Sequence, residues 1–433
     1  MTVAQRAADP VEAPPGEVDP AGGRADPPIV PQHLVIALPT TGEFDSRTWR
    51  IARAAVDRGH RVTVVARAAA GLALDEAHAA GFRIIRYRTP SPFGAPGDGI
   101  VGLGPRLRAV LRRVTFPLSV ALERRAVRQL APRADLVHGM AFMGIPLALA
   151  LGRRDGVPVV YDARDIHVDA RNVARMGRAA RSMIARLERR WAMRVDRIIT
   201  VNDAYADVLA SRWPVERPLV VMNCSFRYEP PSPRERRFHD ALSLPPDETI
   251  VLYHGGLSPS RGIEQLIEAI GLVDGATLVL MGYGPLEERL RSAAADSKTG
   301  GRIRVMPAVP PDVLHDWIAS ADIAAIPIQG DTLNHRLTTP NKLFEAMAAG
   351  VPAIVSDLPG MAPIVTSTGC GVLVDPTDPA AIASAIRQFQ DLPEADRAEW
   401  RTRCVTAAHE TYNWESQVER LFDAYSGLTG RRW

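Results

Sequence analysis

The sequence has very little lysine, few cysteines and few aromatic residues. Of the 52 basic residues in the 433-residue chain only two are lysines, Lys298 and Lys342, so arginine carries nearly all the positive charge. A proteome-wide arginine bias accounts for most of this pattern, and a lysine that persists under such a bias is of some interest. Three unevenly spaced cysteines without a CxxC pair favour a reducing compartment and small buried residues over a disulfide framework or a zinc site.

The sequence also shows no leader pattern and no long apolar run. The longest uncharged apolar stretch, Gly139–Gly152, is too short to cross a bilayer. Residues 1–32 are rich in Pro, Ala, Gly and acid without an apolar centre, which predicts a disordered tail and not a signal or transit peptide. The expected location is the cytoplasm, or the inner face of the cell membrane if the protein attaches to lipid.

What is present is a globular composition, 46% hydrophobic and 23% charged with a net charge of +3. The valine-rich runs His33–Leu38 and Arg61–Ala66 flank a helical pattern at Ser46–Arg58, which indicates a parallel sheet covered on both faces. Strand and helix patterns alternate to about residue 226 and restart at Ile250. The prediction is an α/β fold of two Rossmann-like domains facing a central cleft, at 33–226 and 248–411, with a linker at 227–247 and a final helix within 412–433.

The first candidate site is the loop His254–Gly262, which follows a predicted strand. Gly255–Gly256 allows a ligand to approach the backbone closely, and Ser258–Pro259 predicts a helix N-cap followed by a first-turn proline. Arg261 would then lie in the first turn, where the helix dipole disfavours a cation unless an anion binds there. The alternative is a surface ion pair between Arg261 and Glu264.

The same conflict recurs in the predicted helix within Thr339–Gly350. Lys342 lies at its N-terminus, and Glu345 follows one turn later on the same face. A phosphate group could accept hydrogen bonds from Lys342 and the helix amides, while Glu345 could accept those of two vicinal ribose hydroxyls. The alternative is an intrahelical ion pair between the two side chains. Together with the first loop, the pattern favours a nucleotide diphosphate as ligand.

Between these segments, Gly282-Tyr283-Gly284 forms a third strand–turn–helix pattern. It lacks the third glycine of the dinucleotide fingerprint, and the chain has no P-loop motif, which weighs against an oxidoreductase and a P-loop NTPase. No Asp-x-Asp pair occurs, so the sequence predicts no catalytic metal and no other cofactor.

Taken together, these motifs resemble the family 4 glycosyltransferases of the GT-B fold. The resemblance rests on YHGGLSPSRGIEQLIEAI, GYGPLEERL and PNKLFEAMAAGVPAIVSD in the second half, and on Asp45, Arg47 and GHRVTVVA in the first. It covers most of residues 33–428. It implies a transferase that uses a nucleotide-diphosphate sugar, retains anomeric configuration and closes with a helix, starting near Tyr412, that returns to the first domain.

The resemblance also implies roles for single residues. Arg261 falls on the diphosphate and Glu345 on the ribose, and Gly282–Gly284 lines the nucleotide cleft. The whole predicted donor set is Gly255, Gly256, Arg261, Gly282, Tyr283, Gly284, Asn341, Lys342, Leu343 and Glu345.

Three positions depart from the family pattern. Leu337 stands where the family has its first glutamate, and Gly256 where many members have an arginine, for which Lys342 is the predicted replacement. Arg164 stands at the position of a frequent histidine, and an arginine does not act as a base at neutral pH. We therefore expect His167, Asp165 or His138 to contact the sugar or the acceptor. The predicted catalytic residues are Arg261, Lys342, His167 and Asp165, and the predicted acceptor side consists of Asp45, Arg47, His138 and Arg164.

Residues 104–197 contain 20 arginines against eight acids, and the arginines at 106–113 and 124–128 interleave with apolar residues. This pattern predicts a basic amphipathic face suited to anionic lipid, with a solvated helix surface as the alternative. Nucleic acid is not expected as a partner, because no RNA-binding motif or aromatic cluster accompanies the charge. The expected function is transfer of a sugar to a glycan or lipid-linked acceptor in cell-envelope or exopolysaccharide synthesis. The alternatives are a nucleotide-sugar epimerase, a sugar phosphorylase and a non-catalytic scaffold of the same fold.

Overall fold

The computed structural model describes residues 30–43, 45–88, 105–295 and 301–433, without the side chains of residues 105–114 and 171–172. The predicted tail therefore lies outside the described residues, apart from its last three. Of these, Gln32 is fully buried and donates a hydrogen bond from its amide Nε2 to the Arg432 carbonyl at 3.2 Å. Residue 32, which the sequence analysis placed in the disordered tail, is thus packed against the end of the chain.

The first half of the chain builds one eight-stranded sheet with helices on both faces. Its strands are β1 His33–Ala37, β2 Arg61–Arg67, β3 Asp75–Ala77, β4 Arg83–Tyr87, β5 Leu136–Met140, β6 Val159–Ala163, β7 Arg197–Thr200 and β8 Leu219–Val220. Its helices are α1 Ser46–Asp57, α2 Pro105–Leu130, α3 Ala141–Asp155, α4 Arg171–Ala174, α5 Arg178–Ala192 and α6 Asp203–Arg212, with a 3₁₀ turn at His167–Asp169. The strand order is β3-β4-β2-β1-β5-β6-β7-β8, and only the β3–β4 pair is antiparallel.

The second half builds a six-stranded parallel sheet in the order β11-β10-β9-β12-β13-β14. Its strands are β9 Thr249–Gly256, β10 Ala276–Tyr283, β11 Ile303–Met306, β12 Ile323–Ile326, β13 Ala353–Ser356 and β14 Gly371–Val374. The helices are α7 Arg237–Leu242, α8 Ile263–Ile270, α9 Glu287–Ala294, α10 Leu314–Ala319, α11 Leu333–Arg336, α12 Asn341–Ala348, α13 Ala362–Thr368, α14 Pro379–Gln390, α15 Glu394–Glu410 and α16 Trp414–Thr429. Helix α7 lies within the predicted linker.

The apolar runs form strands because both of their faces are buried. In β9, Ile250 and Leu252 pack into the core on one side of the sheet, whereas Val251 and Tyr253 pack into the core on the other. A strand covered on both sides needs apolar side chains at every position, and this gives the continuous runs of the sequence. The prediction of two parallel α/β domains is confirmed.

Helix α16 joins the end of the chain to the first domain. Its residues Trp414, Leu421, Phe422 and Tyr425 are buried in a cluster with side chains of β1, α1 and β2. The backbone amide of Trp414 donates to the Ser225 carbonyl at 2.7 Å. The two domains also meet beyond the carboxyl ends of their strands, where the Ile166 amide after β6 donates to the Asn334 side chain after β12 at 2.8 Å. The carboxyl ends of the two sheets therefore face one another across a cleft. Within the described ranges, none of the helices is sufficiently long and apolar to span a bilayer.

Candidate functional site

The ends of β9 and β10 and the loops that follow them approach each other closely at glycines. A Cβ atom on Gly282 would lie 1.9 Å from the Gly255 carbonyl oxygen, and one on Gly284 would lie 2.3 Å from the Leu257 carbonyl oxygen. Both positions therefore require glycine for the approach of the two backbones. Gly256 differs, because nothing lies within 4 Å of the position a Cβ would take. The backbone is thus open at Gly256, the position at which many family members have an arginine. Tyr283, which lies beside it, is 46% exposed.

Lys342, in the first turn of α12, points to the same place. Its Nζ lies 3.6 Å from the centre of the Tyr253 ring, and it lies 3.9 Å from the place that a Cβ atom on Gly255 would take. The nitrogen is buried without a hydrogen-bond partner in the described part of the chain. Burial lowers the pKa of Lys342 well below its ordinary value, the charge of Arg261 lowers it further, and Glu345 acts in the opposite direction.

Glu345 is held by side chains other than Lys342. Its Oε2 lies 3.0 Å from Nε2 of His254, and its Oε1 lies 3.9 Å from Arg50 on α1 of the other domain. Burial alone would raise the pKa of Glu345, but the hydrogen bond and charge of His254, with the charges of Arg50 and His315, lower it to about 2. The intrahelical Lys342–Glu345 ion pair that was the alternative is absent among the described ion pairs.

Asn341, the first residue of α12, links the two domains. Its Oδ1 accepts a hydrogen bond from Asn223 at 2.8 Å, and its Nδ2 lies 3.4 Å from the Ser46 hydroxyl. Arg50 donates to both the carbonyl and the side-chain oxygen of Asn223, at 3.1 and 2.9 Å. The sequence analysis missed Arg50 and Asn223, and no local motif distinguishes them. Only the packing of α1 against the cleft brings them to Glu345.

The predicted helix start at Ser258–Pro259 is wrong. Helix α8 begins at Ile263, and its N-cap Gly262 has a φ of 71° and no side-chain cap. A Cβ on Gly262 would lie 2.0 Å from the Pro327 carbonyl oxygen, so this left-handed turn is fixed by packing and stops the helix from extending towards Ser258. Arg261 consequently lies in the loop that precedes the helix and not in its first turn.

Arg261 nevertheless remains a cation without a paired carboxylate among the described residues. The alternative partner Glu264 lies 3.8 Å from Arg289 instead. The positive charge of Arg261 opposes the rise in the pKa of Tyr205 and Tyr253 that burial causes, and it lowers the pKa of Lys342. Two like charges therefore converge beside the glycine loops, an arrangement that a polyanion would stabilise.

Leu337, at the family's glutamate position, belongs to an interdomain contact. Its side chain packs with Leu333 of α11 against a cluster formed by Ile166, Val168 and Tyr205 of the first domain. Its carbonyl accepts a hydrogen bond from Asn202 at 2.8 Å. A carboxylate at this position would enter an apolar contact, so the chain uses position 337 to join the domains.

Asp165 and His167, predicted as catalytic, lie on the loop and 3₁₀ turn after β6. Oδ1 of Asp165 accepts a hydrogen bond from Asn334 of α11 at 3.1 Å, which places it at the domain boundary. The His167 ring stacks on Phe142 with centroids 4.4 Å apart. Both side chains are half-buried at the carboxyl end of the first sheet.

Arg164 and Asp45 are brought together at the same end of the sheet. Nη1 of Arg164 donates to both carboxylate oxygens of Asp45, at 2.7 and 2.6 Å. The same carboxylate caps α1 by accepting from the Thr48 amide at 3.0 Å. The arginine side chain is thereby fixed, with 23% of its surface exposed.

Two residues predicted for the acceptor side, Arg47 and His138, do not reach the cleft. Arg47 is buried, and it donates from Nε to Asp162 at 2.6 Å and from Nη1 to the Val221 carbonyl at 2.8 Å. His138 is fully buried between Asp162 and the Tyr425 hydroxyl of α16. These side chains form a charged network under the closing helix, so their predicted contact with an acceptor is wrong.

One predicted donor residue, Leu343, is also misplaced. Its side chain is completely buried in the core of the second domain, and its amide donates to the Pro340 carbonyl at 3.1 Å. Leu343 and Met347 are four residues apart and share the face of α12 that packs on the core, so the side chain that follows Lys342 points inward. Among the residues that the structure describes, no group of three or more His, Cys, Asp or Glu side chains is arranged to hold a metal ion.

Comparisons with known proteins agree with this geometry. The family model described as "Glycosyl transferase 4-like domain" matches residues 44–224, and "Glycosyl transferases group 1" matches residues 248–391. A D-inositol 3-phosphate glycosyltransferase from Nocardia farcinica is 24% identical over 90% of this chain and 86% of its own. Against the first curated relatives, the chain spans less than half of their length, 44–49%.

Solved structures share the fold over almost the whole chain. Sucrose-phosphate synthase from Thermosynechococcus elongatus has a TM-score of 0.72 at 18% identity, covering 92% of this chain and 99% of its own. Anabaena Alr3699/HepE in complex with UDP-glucose has a TM-score of 0.67 at 15% identity, covering 92% of this chain and 100% of its own. With both domains matched by family models and both sheets facing one cleft, the chain belongs to the family 4 glycosyltransferases of the GT-B fold.

Proposed function

We propose that the protein is a retaining glycosyltransferase that moves a sugar from a nucleotide-diphosphate sugar to a hydroxyl of a glycan or lipid-linked acceptor. The observation that carries the proposal is Lys342, a buried cation without a hydrogen-bond partner among the described residues. It lies beside Arg261, a second cation, and at the N-terminus of α12. A doubly charged diphosphate satisfies both cations and the helix amides at once.

The remaining parts of a nucleotide site lie around these cations. The backbone at Gly255–Gly256 is open to a ligand, as a diphosphate requires. The Glu345 carboxylate has about four acceptor positions, of which His254 uses one, so it retains capacity for two ribose hydroxyls. The Anabaena neighbour was crystallised with UDP-glucose, which supports this class of donor. The site does not select among the bases or the sugars.

The proposed reaction breaks the bond between the anomeric carbon and the phosphate oxygen, and the electron pair leaves with the nucleoside diphosphate. Lys342, Arg261 and the α12 amides stabilise that charge without proton transfer or a metal. The acceptor oxygen bonds to the anomeric carbon on the face that the phosphate leaves, and the proton of the acceptor hydroxyl passes to solvent water. Asp165 and His167 are the proposed contacts to the sugar or acceptor, and Arg164 with Asp45 forms the proposed acceptor side.

The role in cell-envelope or exopolysaccharide synthesis is part of the proposal and follows from the expected lipid-linked or glycan acceptor. Product analysis with a membrane-lipid extract and the active donor tests it. A labelled lipid or polymer product is the expected result. Transfer to a small water-soluble acceptor alone would contradict the role in envelope or exopolysaccharide synthesis, but it would not affect the assignment of the donor site.

The direct test is a melting-shift screen of the full chain with UDP, GDP and their sugars, followed by donor hydrolysis in the presence and absence of EDTA. We expect one nucleotide to raise the melting temperature, and slow hydrolysis of its sugar that EDTA does not affect. A sugar phosphorylase would respond to inorganic phosphate and not to nucleotide, and an epimerase would interconvert the donor sugar. Nucleotide binding without turnover would indicate a scaffold, and no nucleotide binding would contradict the transferase proposal.

A further inference from the structure

The second half of α2 presents an exposed stripe that has no acidic residue. The positions on this face follow one another at steps of three and four residues, and all four are exposed: Leu118, Ala121, Arg125 and Arg128. The opposite face, Val120, Glu123 and Val127, is buried. The Glu123 carboxylate does not neutralise the exposed arginines, because it is buried and paired with Arg67 at 2.9 Å.

Five arginines around this stripe have no ion-pair partner in the part of the chain that the structure describes. They come from three elements, namely α2, the end of α3 and the turn after α5: Arg124, Arg125, Arg128, Arg153 and Arg194. Burial lowers the pKa of Arg124, and the charges of Arg153, Arg128 and Arg194 lower it further, which shows that the cluster is mutually repulsive. The Nε atom of Arg124 is buried without a hydrogen-bond partner.

Arg154, next to this cluster, differs from the five arginines because it is fully hydrogen-bonded within the protein. Arg154 binds the Asp155 carboxylate through Nε and Nη2 and also binds the carbonyls of Arg128, Ala131 and Pro132, so all of its nitrogens have partners. It lines a surface concavity of about 520 Å³ together with Ala121, Arg124, Arg125, Arg128 and Gln129. This volume exceeds that of a phosphate group, and three of the lining arginines, Arg124, Arg125 and Arg128, have no ion-pair partner among the described residues.

Large exposed apolar side chains lie on the same elements. Leu118 and Leu130 of α2 are 53% and 47% exposed, and Met193 after α5 is 51% exposed. Unpaired arginines interleaved with exposed apolar side chains are typical of surfaces that enter the headgroup layer of a bilayer. A polyanion such as nucleic acid would use the charges but would leave these apolar side chains in water.

This surface lies away from the cleft. Helix α2 ends at Leu130, shortly before β5, and α3 ends at Asp155, shortly before β6. The arginine cluster is therefore at the amino ends of the strands, whereas the donor and acceptor residues lie at the carboxyl ends. Binding at the cluster would leave the cleft open to solvent.

We propose that the arginine cluster of α2, α3 and the turn after α5 docks the protein on a bilayer that contains anionic phospholipid. Arg124, Arg125 and Arg128 bind headgroup phosphates, and Leu118, Leu130 and Met193 enter the acyl boundary. The proposal is independent of the donor site and does not require the protein to be a transferase.

Flotation of the full chain with vesicles of phosphatidylglycerol and phosphatidylcholine, and with vesicles of phosphatidylcholine alone, tests this. We expect binding to the anionic vesicles, weakened by salt, and little binding to the neutral ones. Each arginine near an anionic surface contributes about fivefold to the partition coefficient, so the triple variant Arg124→Gln, Arg125→Gln, Arg128→Gln should lose about a hundredfold.

The matched control removes the same charge elsewhere, as Arg53→Gln, Arg289→Gln, Arg291→Gln, three exposed arginines distant from the cluster. It should bind the vesicles within about twofold of the unchanged protein after allowance for long-range charge. If the triple variant does not fold, the single change Arg125→Glu on the exposed stripe replaces it and should lower binding more than tenfold, since it reverses one charge.

Three results would overturn the proposal: no binding of the unchanged protein to anionic vesicles at low salt, equal binding to both vesicle types, or equal loss in the cluster and control variants. Binding to duplex DNA without binding to vesicles would identify another polyanion as the partner and would also overturn it. Nucleotide-dependent melting of the triple variant should be unchanged. A failure of vesicle binding is thus distinguishable from a failure of the donor assignment.

Discussion

The ammonium nitrogen of Lys342 lies 3.6 Å from the centre of the Tyr253 ring, inside the second domain and at the N-terminus of α12. The electron-rich face of the ring attracts the ammonium group. Three effects oppose the same charge, namely burial, the positive end of the helix and nearby Arg261. The site therefore carries uncompensated positive charge until an anion enters. We make two predictions from the position of Lys342.

The first concerns ligand affinity. Replacing Lys342 by Met removes a charge-assisted contact to a phosphate, which contributes about 1.5–3 kcal/mol, so affinity for the active nucleotide should fall about 10- to 100-fold. Isothermal titration with the nucleoside diphosphate measures the change. Lys298→Met, at the only other lysine of the chain, is the matched control and should bind as the unchanged protein does. Equal affinity in the Lys342→Met variant would remove Lys342 from the site.

The second prediction is that the same variant is more stable than the unchanged protein without ligand. The pKa of Lys342 in the folded state is far below its ordinary value of 10.5, so the unfolded chain binds more protons between these two values. Stability of the unchanged protein should therefore rise with pH through that interval. The advantage of Lys342→Met should be constant at low pH and vanish as pH approaches 10.5. Urea unfolding at several pH values measures it, and a pH-independent difference would contradict the burial of a titrating amine.

Glu345→Gln should instead destabilise the protein, and its effect should vanish at low pH, not at high pH. The pKa of Glu345 is about 2 in the folded state against an ordinary value of 4.5, so its ionised form stabilises the fold above pH 4.5. The variant should lose on the order of 3 kcal/mol of unfolding free energy at neutral pH, and the difference should disappear as pH falls from 4.5 towards 2. Unfolding in urea at three pH values measures this. A constant difference would show that His254 and Arg50 do not stabilise the carboxylate.

Arg164 provides a test of the acceptor side. Because its guanidinium is bound to Asp45 at the carboxyl end of the first sheet, Arg164→Met should weaken acceptor turnover without changing the donor site. We expect kcat/KM for the acceptor to fall about 10-fold or more, as for loss of one charged contact, while donor hydrolysis and nucleotide melting shift stay unchanged. Arg164→Lys keeps the positive charge but loses the planar guanidinium group, so its kcat/KM for the acceptor should lie between those of the unchanged protein and Arg164→Met. Equal loss of hydrolysis and transfer would place Arg164 in the donor site.

Restoring the family's glutamate should not restore a family contact. Leu337→Glu places a carboxylate in the apolar interdomain cluster with Ile166 and Tyr205. We expect a loss of about 2 kcal/mol in unfolding free energy and no gain in donor affinity. Leu337→Met, which keeps the apolar volume, is the control and should lose less than about 1.5 kcal/mol. Tighter donor binding in the glutamate variant would show that position 337 faces the donor.

The apolar periodicity was sufficient for the two sheets, because strands buried on both faces need continuous apolar runs such as those of β1, β2 and β9. Helix starts were less reliable. Ser258–Pro259 has the residue types of a helix start, yet the packing of Gly262 on the Pro327 carbonyl moves the start to Ile263. A cap is a local preference of about 1 kcal/mol, and a close backbone contact overrides it.

For the site, the sequence by itself determined Lys342 and Glu345 as a pair on one helix and the glycines that let two loops meet, since these depend on spacing along the chain. Only the tertiary structure decided their partners. Glu345 is held by His254 and Arg50, Lys342 by Tyr253, and Arg47 with His138 lies buried beneath α16. Contacts between residues far apart in sequence depend on how two domains and a returning helix pack. No local pattern encodes that packing, because the burial and charge of each side chain arise only when the surfaces meet.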